Sequence, residues 1–230
     1  LPGARSGVIP TRDWKAATIG QPWQKGETLI AGIGQGYVLT TPLQLAVMTA
    51  RLANGGMAVQ PHLTRTIGGK PAHSYEPARI DVSPRSFKLI TDAMAAVVNS
   101  PKGTAKASRI EDETMTMGGK TGTAQVRRIS KSERDTRVLK NDELEWRERD
   151  HALFVGYAPV GAPRYAVSVV VEHGGSGSAA AAPIARDVLE EVQRRSILPP
   201  LPPKTVADTE NQPDQNSTPL QSASLTGRSQ

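Results

Sequence analysis

The chain contains no cysteine, which excludes a disulfide framework and is compatible with an oxidising compartment without requiring one. No apolar run approaches the roughly 18 to 20 residues of a membrane span, and no charged-then-apolar signal opens the sequence. The histidines, His62, His73, His151 and His173, are scattered with no His-Glu-x-x-His or comparable spacing, so no metal site is expected. Gly32, Gly34 and Gly36 superficially match a phosphate-binding loop. The Gly-Lys-Ser/Thr ending of such a loop is missing, however, and no βαβ unit surrounds them. A structural loop beside a cleft is expected instead, with Gln35 a candidate to face that cleft. There is no internal repeat, and no cofactor is expected.

Positive charge is in modest excess, 28 Lys and Arg against 22 Asp and Glu, for a net +6. That balance permits attraction to acidic polymers or anionic membrane surfaces. It does not establish nucleic-acid binding, and no nucleic-acid partner is expected. The densest charge lies in residues 127–150, where Arg127, Arg128, Lys131, Arg134 and Arg137 interleave with Glu133, Asp135, Asp142, Glu143 and Glu148. Interleaved signs nearly cancel, which predicts a solvated loop or surface helix. The functional alternative is a flexible flap beside the site.

Thr41-Pro42-Leu43-Gln44 reads as a helix start, with Thr41 as N-cap, Pro42 in the first helical position and Gln44 closing a capping box. Leu45, Met48 and Leu52 fall on one face before the Asn54-Gly55-Gly56 stop. A second helix begins at Ser83-Pro84, with Phe87, Ile90, Met94 and Val97 at helical spacing, and ends by Pro101 and Gly103. These faces are read as core. Strands are predicted over residues 121–127, 152–158 and 165–172, the last two joined by Pro159-Val160-Gly161-Ala162-Pro163. A closing helix over residues 180–196 presents Ile184, Val188, Leu189 and Val192. Helices followed by a strand meander and a final helix predict an α/β fold, an antiparallel sheet flanked by helices. Residues 199–230 are rich in Pro, Ser and Gln with almost no bulky apolar residue, which predicts a disordered tail after a folded part in residues 1–198.

The most chemically loaded segment is Met117-Gly118-Gly119-Lys120-Thr121-Gly122-Thr123-Ala124-Gln125-Val126. In an extended strand Lys120 shares a face with Gly122, and Thr121 shares the other with Thr123. Lys120 supplies an ammonium and Thr121 and Thr123 supply hydroxyls, a set suited to holding a carboxylate. Gly122 lets a substrate backbone lie close against the strand.

Upstream lie Arg12-Asp13-Trp14-Lys15, Gln21-Pro22-Trp23 and Ala31-Gly32-Ile33-Gly34-Gln35-Gly36-Tyr37, the last running on to Thr40-Thr41-Pro42-Leu43-Gln44-Leu45-Ala46. Downstream are Asp150-His151-Ala152-Leu153-Phe154-Val155-Gly156-Tyr157-Ala158-Pro159 and Val171-Glu172-His173-Gly174-Gly175. In this order the blocks resemble the class B penicillin-binding proteins, most of all those of the rod-elongation machinery. The resemblance covers residues 1 to about 195. It implies a β-lactamase/transpeptidase-like fold, here an incomplete domain, in a peptidoglycan D,D-transpeptidase that works through a serine acyl-enzyme and binds β-lactams. D-Ala-D-Ala carboxypeptidase activity, with water as acceptor, is the hydrolytic variant. Lys120, Thr121, Gly122 and Thr123 are then substrate-binding, and the Thr123 backbone N–H forms half of an oxyanion hole.

The family's Ser-x-x-Lys motif, which carries the nucleophile, and its Ser-x-Asn motif occur nowhere in this sequence. Leu1 opens the chain, which suggests the C-terminal part of a longer protein, and the resemblance implies a membrane anchor in the N-terminal part. This segment would then be inactive alone and lie at the periplasmic face of the bacterial inner membrane. Expected partners are peptidoglycan stem peptides, β-lactams and a membrane glycan polymerase. The competing reading is a catalytically inactive scaffold or sensor of the elongation complex that keeps the fold.

Overall fold

The Thr41 capping box forms as written in the sequence. Thr41 Oγ1 accepts from the Gln44 N–H at 3.1 Å and Gln44 Oε1 accepts from the Thr41 N–H at 2.9 Å, opening helix α3 (Pro42–Ala53). Asn54 closes it, its Oδ1 accepting from the N–H groups of Gly56 and Met57. Gly56 takes a φ of 95° and lies under Phe87, where an added Cβ would meet Phe87 Cε2 at 2.5 Å. Glycine is required there for both backbone and space. Helix α4 (Pro84–Asn99) starts at Ser83, whose Oγ accepts from the Ser86 N–H.

The computed structural model describes residues 3–73, 76–127 and 129–195. The tail reading for residues 199–230, and those for Arg128 and Ser196, lie outside the described residues. Ahead of α3 come two short helices the sequence reading did not anticipate, α1 (Arg12–Ile19) and α2 (Lys25–Gly32). Their weak apolar faces concealed them. What joins them is polar. Lys15, 2% exposed, donates to Glu27 Oε1 at 2.6 Å and Oε2 at 2.8 Å and to the Pro22 carbonyl at 2.9 Å. A buried ammonium is tolerable only when fully partnered. The Gln24 N–H and Lys15 together lower the Glu27 carboxyl below its usual range. Between α3 and α4 a two-residue-per-strand hairpin pairs β1 (Thr66–Ile67) with β2 (Lys70–Pro71).

Strands β3 (Gly118–Ala124), β4 (His151–Ala158) and β5 (Tyr165–Val171) form an antiparallel sheet in the order β3-β4-β5. β4 is central. Its Ala152, Phe154 and Ala158 are buried against helix α6 (Ala182–Arg194), which contributes Ala182, Ala185 and Leu189. On the opposite face the Tyr157 hydroxyl donates to the Thr91 carbonyl of α4 at 3.1 Å. The sheet is therefore covered by α6 on one side and by α3 and α4 on the other, the antiparallel sheet with flanking helices that the sequence predicts.

Two boundaries move. β3 begins at Gly118 and ends at Ala124, where residues 121–127 were predicted. Gly118 and Gly119 carry no strand signal, yet the sheet needs them. An added Cβ would lie 2.9 Å from the Tyr157 ring at position 118 and 2.2 Å from Phe154 Cζ at position 119. Aromatic rings of β4 occupy the space that side chains would take. The closing helix is also re-cut, since a π turn (Gly177–Ala181) leads into α6. The predicted buried residues Ile184 and Val188 are 46% and 44% exposed. The alanines Ala182 and Ala185 turn inward instead, and their small side chains let α6 approach the sheet closely. Met48 and Ile90, read as core, are likewise 44% and 40% exposed and line an open apolar groove of about 610 Å³ with Leu43, Leu52 and Phe87.

The charged stretch between β3 and β4 is organised by its own ion pairs. It holds helix α5 (Lys131–Thr136) and 3₁₀ turns at Asn141–Glu143 and Trp146–Glu148. Arg127 donates to both carboxylate oxygens of Glu133, with Nη1 to Oε2 at 2.8 Å. The Leu139 N–H also donates to Glu133. These bonds, the Arg127 fork first, lower the Glu133 carboxyl to about 2. Because the folded value lies below the unfolded one of about 4.3, the pair's contribution is fully present above that pH and lost as pH falls through about 2. Carboxyl-carbon NMR should give Glu133 a titration midpoint near 2. Glu133→Gln should make this stretch as protease-sensitive at neutral pH as the parent is at low pH. A Glu133 midpoint in the ordinary range would refute the folded arrangement of this stretch.

Candidate active site

Among the described residues β3 has a strand neighbour on one side only, so alternate residues turn both backbone groups to the open edge. Three bonds establish which. Asn99 Nδ2 donates to the Met117 carbonyl at 2.9 Å, Lys120 Nζ to the Thr121 carbonyl at 2.7 Å, and Gln35 Nε2 to the Thr123 carbonyl at 3.0 Å. Odd-numbered residues therefore face the open edge with their backbone groups, and the N–H of Thr123 points there too. Gly122 turns its groups to Leu153 on β4.

The site residues named from sequence converge here. Lys120 is exposed, its ammonium lying along the strand edge; Thr121 and Gly122 are half-buried and Thr123 exposed. Gln35, 88 positions before Thr123, reaches the strand from the turn after α2. That turn is made by Gly34 and Gly36, each at a φ of 73°. Thr104 was missed. Its Oγ1 lies 3.2 Å from Thr121 Oγ1. No sequence motif marks Thr104; the nearest clue is Gly103, where an added Cβ would meet the Val97 carbonyl at 2.3 Å. This close packing under the end of α4 aims Thr104 at the strand.

Behind the strand, Gly177 packs directly on the β3–β4 ladder. A Cβ there would lie 2.4 Å from the Leu153 carbonyl oxygen and 2.5 Å from that of Gly122. The strand is thus backed by main chain on the α6 side and open along its free edge. Ammonium, hydroxyl and amide donors on such an edge suit an extended peptide that ends in a carboxylate and carries a carbonyl to be polarised. Among the described residues no group of three or more His, Cys, Asp or Glu is arranged to hold a metal ion, and no helix is long and apolar enough to cross a membrane.

Residues 1–190 match the family described as the penicillin binding protein transpeptidase domain. The chain belongs to that family. Among curated relatives, peptidoglycan D,D-transpeptidase MrdA of Haemophilus influenzae is 38% identical over 187 residues, covering 79% of this chain and 28% of the relative. Among solved structures, Pseudomonas aeruginosa PBP2 in complex with WCK 5153 superposes with a TM-score of 0.69 at 41% identity, covering 83% of this chain and 39% of that one. PBP2 of Helicobacter pylori in complex with MreC gives 0.70 at 30% identity, covering 86% and 33%. The antiparallel sheet flanked by helices is thus that of penicillin-binding transpeptidases. The chain is similar to PBP2-type members and spans about a third or less of the length of the curated relatives it matches, 28% of the Haemophilus influenzae protein.

Proposed function

We propose that this chain provides the substrate strand of a serine D,D-transpeptidase of the cell-wall elongation complex. A serine outside these residues attacks the penultimate D-Ala carbonyl of a stem pentapeptide. As the carbonyl oxygen becomes an oxyanion, the Thr123 N–H and the serine's own N–H donate to it. Collapse breaks the peptide bond, and the terminal D-Ala departs with the serine's proton on its amine. The acyl-serine ester is then attacked by the amine of a neighbouring stem, which forms the cross-link and returns the proton to the serine. With water as acceptor the same cycle is a carboxypeptidase. Lys120 and the hydroxyls of Thr121 and Thr123 bind the terminal carboxylate, and Gly122 lets the peptide backbone lie close. β-Lactams acylate the same serine because they mimic the D-Ala-D-Ala amide.

The observation that carries this reading is the alignment of Lys120, Thr121 and the Thr123 amide along one open strand edge. Family membership supports it. The reading places the chain at the periplasmic face of the inner membrane beside a membrane glycan polymerase. Fluorescent penicillin applied to the longest native form of the protein, and in parallel to these 230 residues alone, tests it. Covalent labelling of the long form with none in the short one is expected. A folded long form that takes no label would overturn the enzyme in favour of a scaffold or sensor.

A further inference from the structure

His151 and His173, scattered in sequence, meet in the fold with ring centroids 4.7 Å apart, edge to face. His151 opens β4 and stands opposite Ala124, the last residue of the substrate strand. His173 follows β5 and takes a φ of 55°, the one non-glycine residue with positive φ among the described residues. Few non-glycine residues take this conformation, histidine among those that do, and it persists where the surroundings hold it.

It aims two groups. The His173 N–H donates to His151 Nδ1 at 2.9 Å, and His173 Nδ1 lies 2.9 Å from the Arg149 carbonyl. An amide N–H only donates, so His151 Nδ1 carries no hydrogen and its ring N–H is at Nε2. A carbonyl only accepts, so His173 carries its hydrogen at Nδ1. The two rings hold opposite tautomers, each assigned by a main-chain partner. The Trp146 ring packs against His173, centroids 4.5 Å apart and planes tilted by 60°. Beside them Asn141 accepts from the Asp150 N–H at 2.8 Å and donates to the Asp150 carboxylate at 3.2 Å, while the Gly175 N–H donates to the Asp150 carbonyl. Two stretches of chain are thereby tied at one point: the end of the charged connector with the start of β4 that directly follows it, and the turn after β5, 22 positions beyond His151.

The connector leaves the substrate strand at Ala124 and returns at His151, opposite the residue it left. We infer that the His151–His173 pair is a positioning latch. It fixes the base of the connector to the turn after β5 and with it the start of β4, whose pairing with Ala124 sets the end of the substrate strand. His151 touches no substrate in this arrangement; it acts through the His173 turn. The effect on acylation rests on the transpeptidase reading, whereas the latch does not.

The test uses the longest native form. Nitrogen-15 NMR of the imidazoles should show His151 as the Nε2–H tautomer and His173 as the Nδ1–H tautomer; the reverse assignment overturns the latch. His151→Phe keeps a ring and removes the acceptor. It should speed tryptic cleavage after Arg137 and Arg147, and slow penicillin acylation, each by roughly fivefold, the factor one neutral hydrogen bond is worth. His151→Asn restores an acceptor near the Nδ1 position and should recover most of both. If His151→Phe leaves cleavage at the parent rate, or His151→Asn is as impaired as His151→Phe, the latch is refuted. A parent protein that takes no penicillin would remove the transpeptidase reading instead, and the tautomers and cleavage rates would still decide the latch.

Discussion

Lys120→Ala is expected to slow penicillin acylation of the native protein by about 10²-fold, the usual effect of removing one charged or oxyanion-directed donor from an acyl-transfer site. Lys120 is exposed and, among the described residues, its ammonium has one hydrogen bond, to the Thr121 carbonyl, which it can exchange for an arriving carboxylate. For the same reason its loss should leave stability nearly unchanged, within about 0.5 kcal/mol for a surface substitution. Thr123→Ala should cost less, since the oxyanion role proposed for this residue belongs to its backbone N–H and would survive the change. Stopped-flow acylation with a chromogenic β-lactam separates the two. A Lys120→Ala protein that acylates at the parent rate would remove the carboxylate cradle from β3.

Gly177→Ala should destabilise the fold by about 3 kcal/mol, the upper part of the range for forcing extra volume into a packed site. The new methyl would meet two main-chain oxygens, those of Leu153 and Gly122. Backbone in a ladder cannot rotate aside as a side chain can, so either the π turn lifts away or the β3–β4 pairing parts at Gly122. Acylation should therefore fall together with melting temperature. Gly161→Ala is the control, because nothing lies within 4 Å of a Cβ there and its φ is not positive. It should be neutral or stabilise by about 0.5 kcal/mol through the unfolded chain. Equal melting temperatures for the two variants would show that α6 does not hold the π turn against the strand.

Much of the local structure was legible because its causes are local. The Thr41 and Gln44 pair, Ser83-Pro84 and the Asn54-Gly55-Gly56 stop each satisfy backbone groups within a few residues, so spacing alone announces them. β4 and β5 were legible for a similar reason, since their apolar content matches a strand packed on both faces. The start of β3 was not. Gly118 and Gly119 are strand residues because Tyr157 and Phe154, some 35 to 40 positions later, need the room. The helices α1 and α2 were hidden because a buried Lys15–Glu27 pair joins them in place of an apolar stripe.

For the candidate site, the sequence alone determined the chemical inventory: an ammonium, hydroxyls and a bare glycine alternating along one extended segment, and the order of blocks that marks the family. An alternating strand needs only its own residues to decide which side chains share a face. Which backbone groups reach the open edge depends on the pairing with β4, and the approach of Gln35 and Thr104 depends on chain segments brought in from elsewhere. The meeting of His151 with His173 has the same origin. These were decided by the tertiary structure alone, because hydrogen-bond partners distant in sequence leave no periodic trace in it.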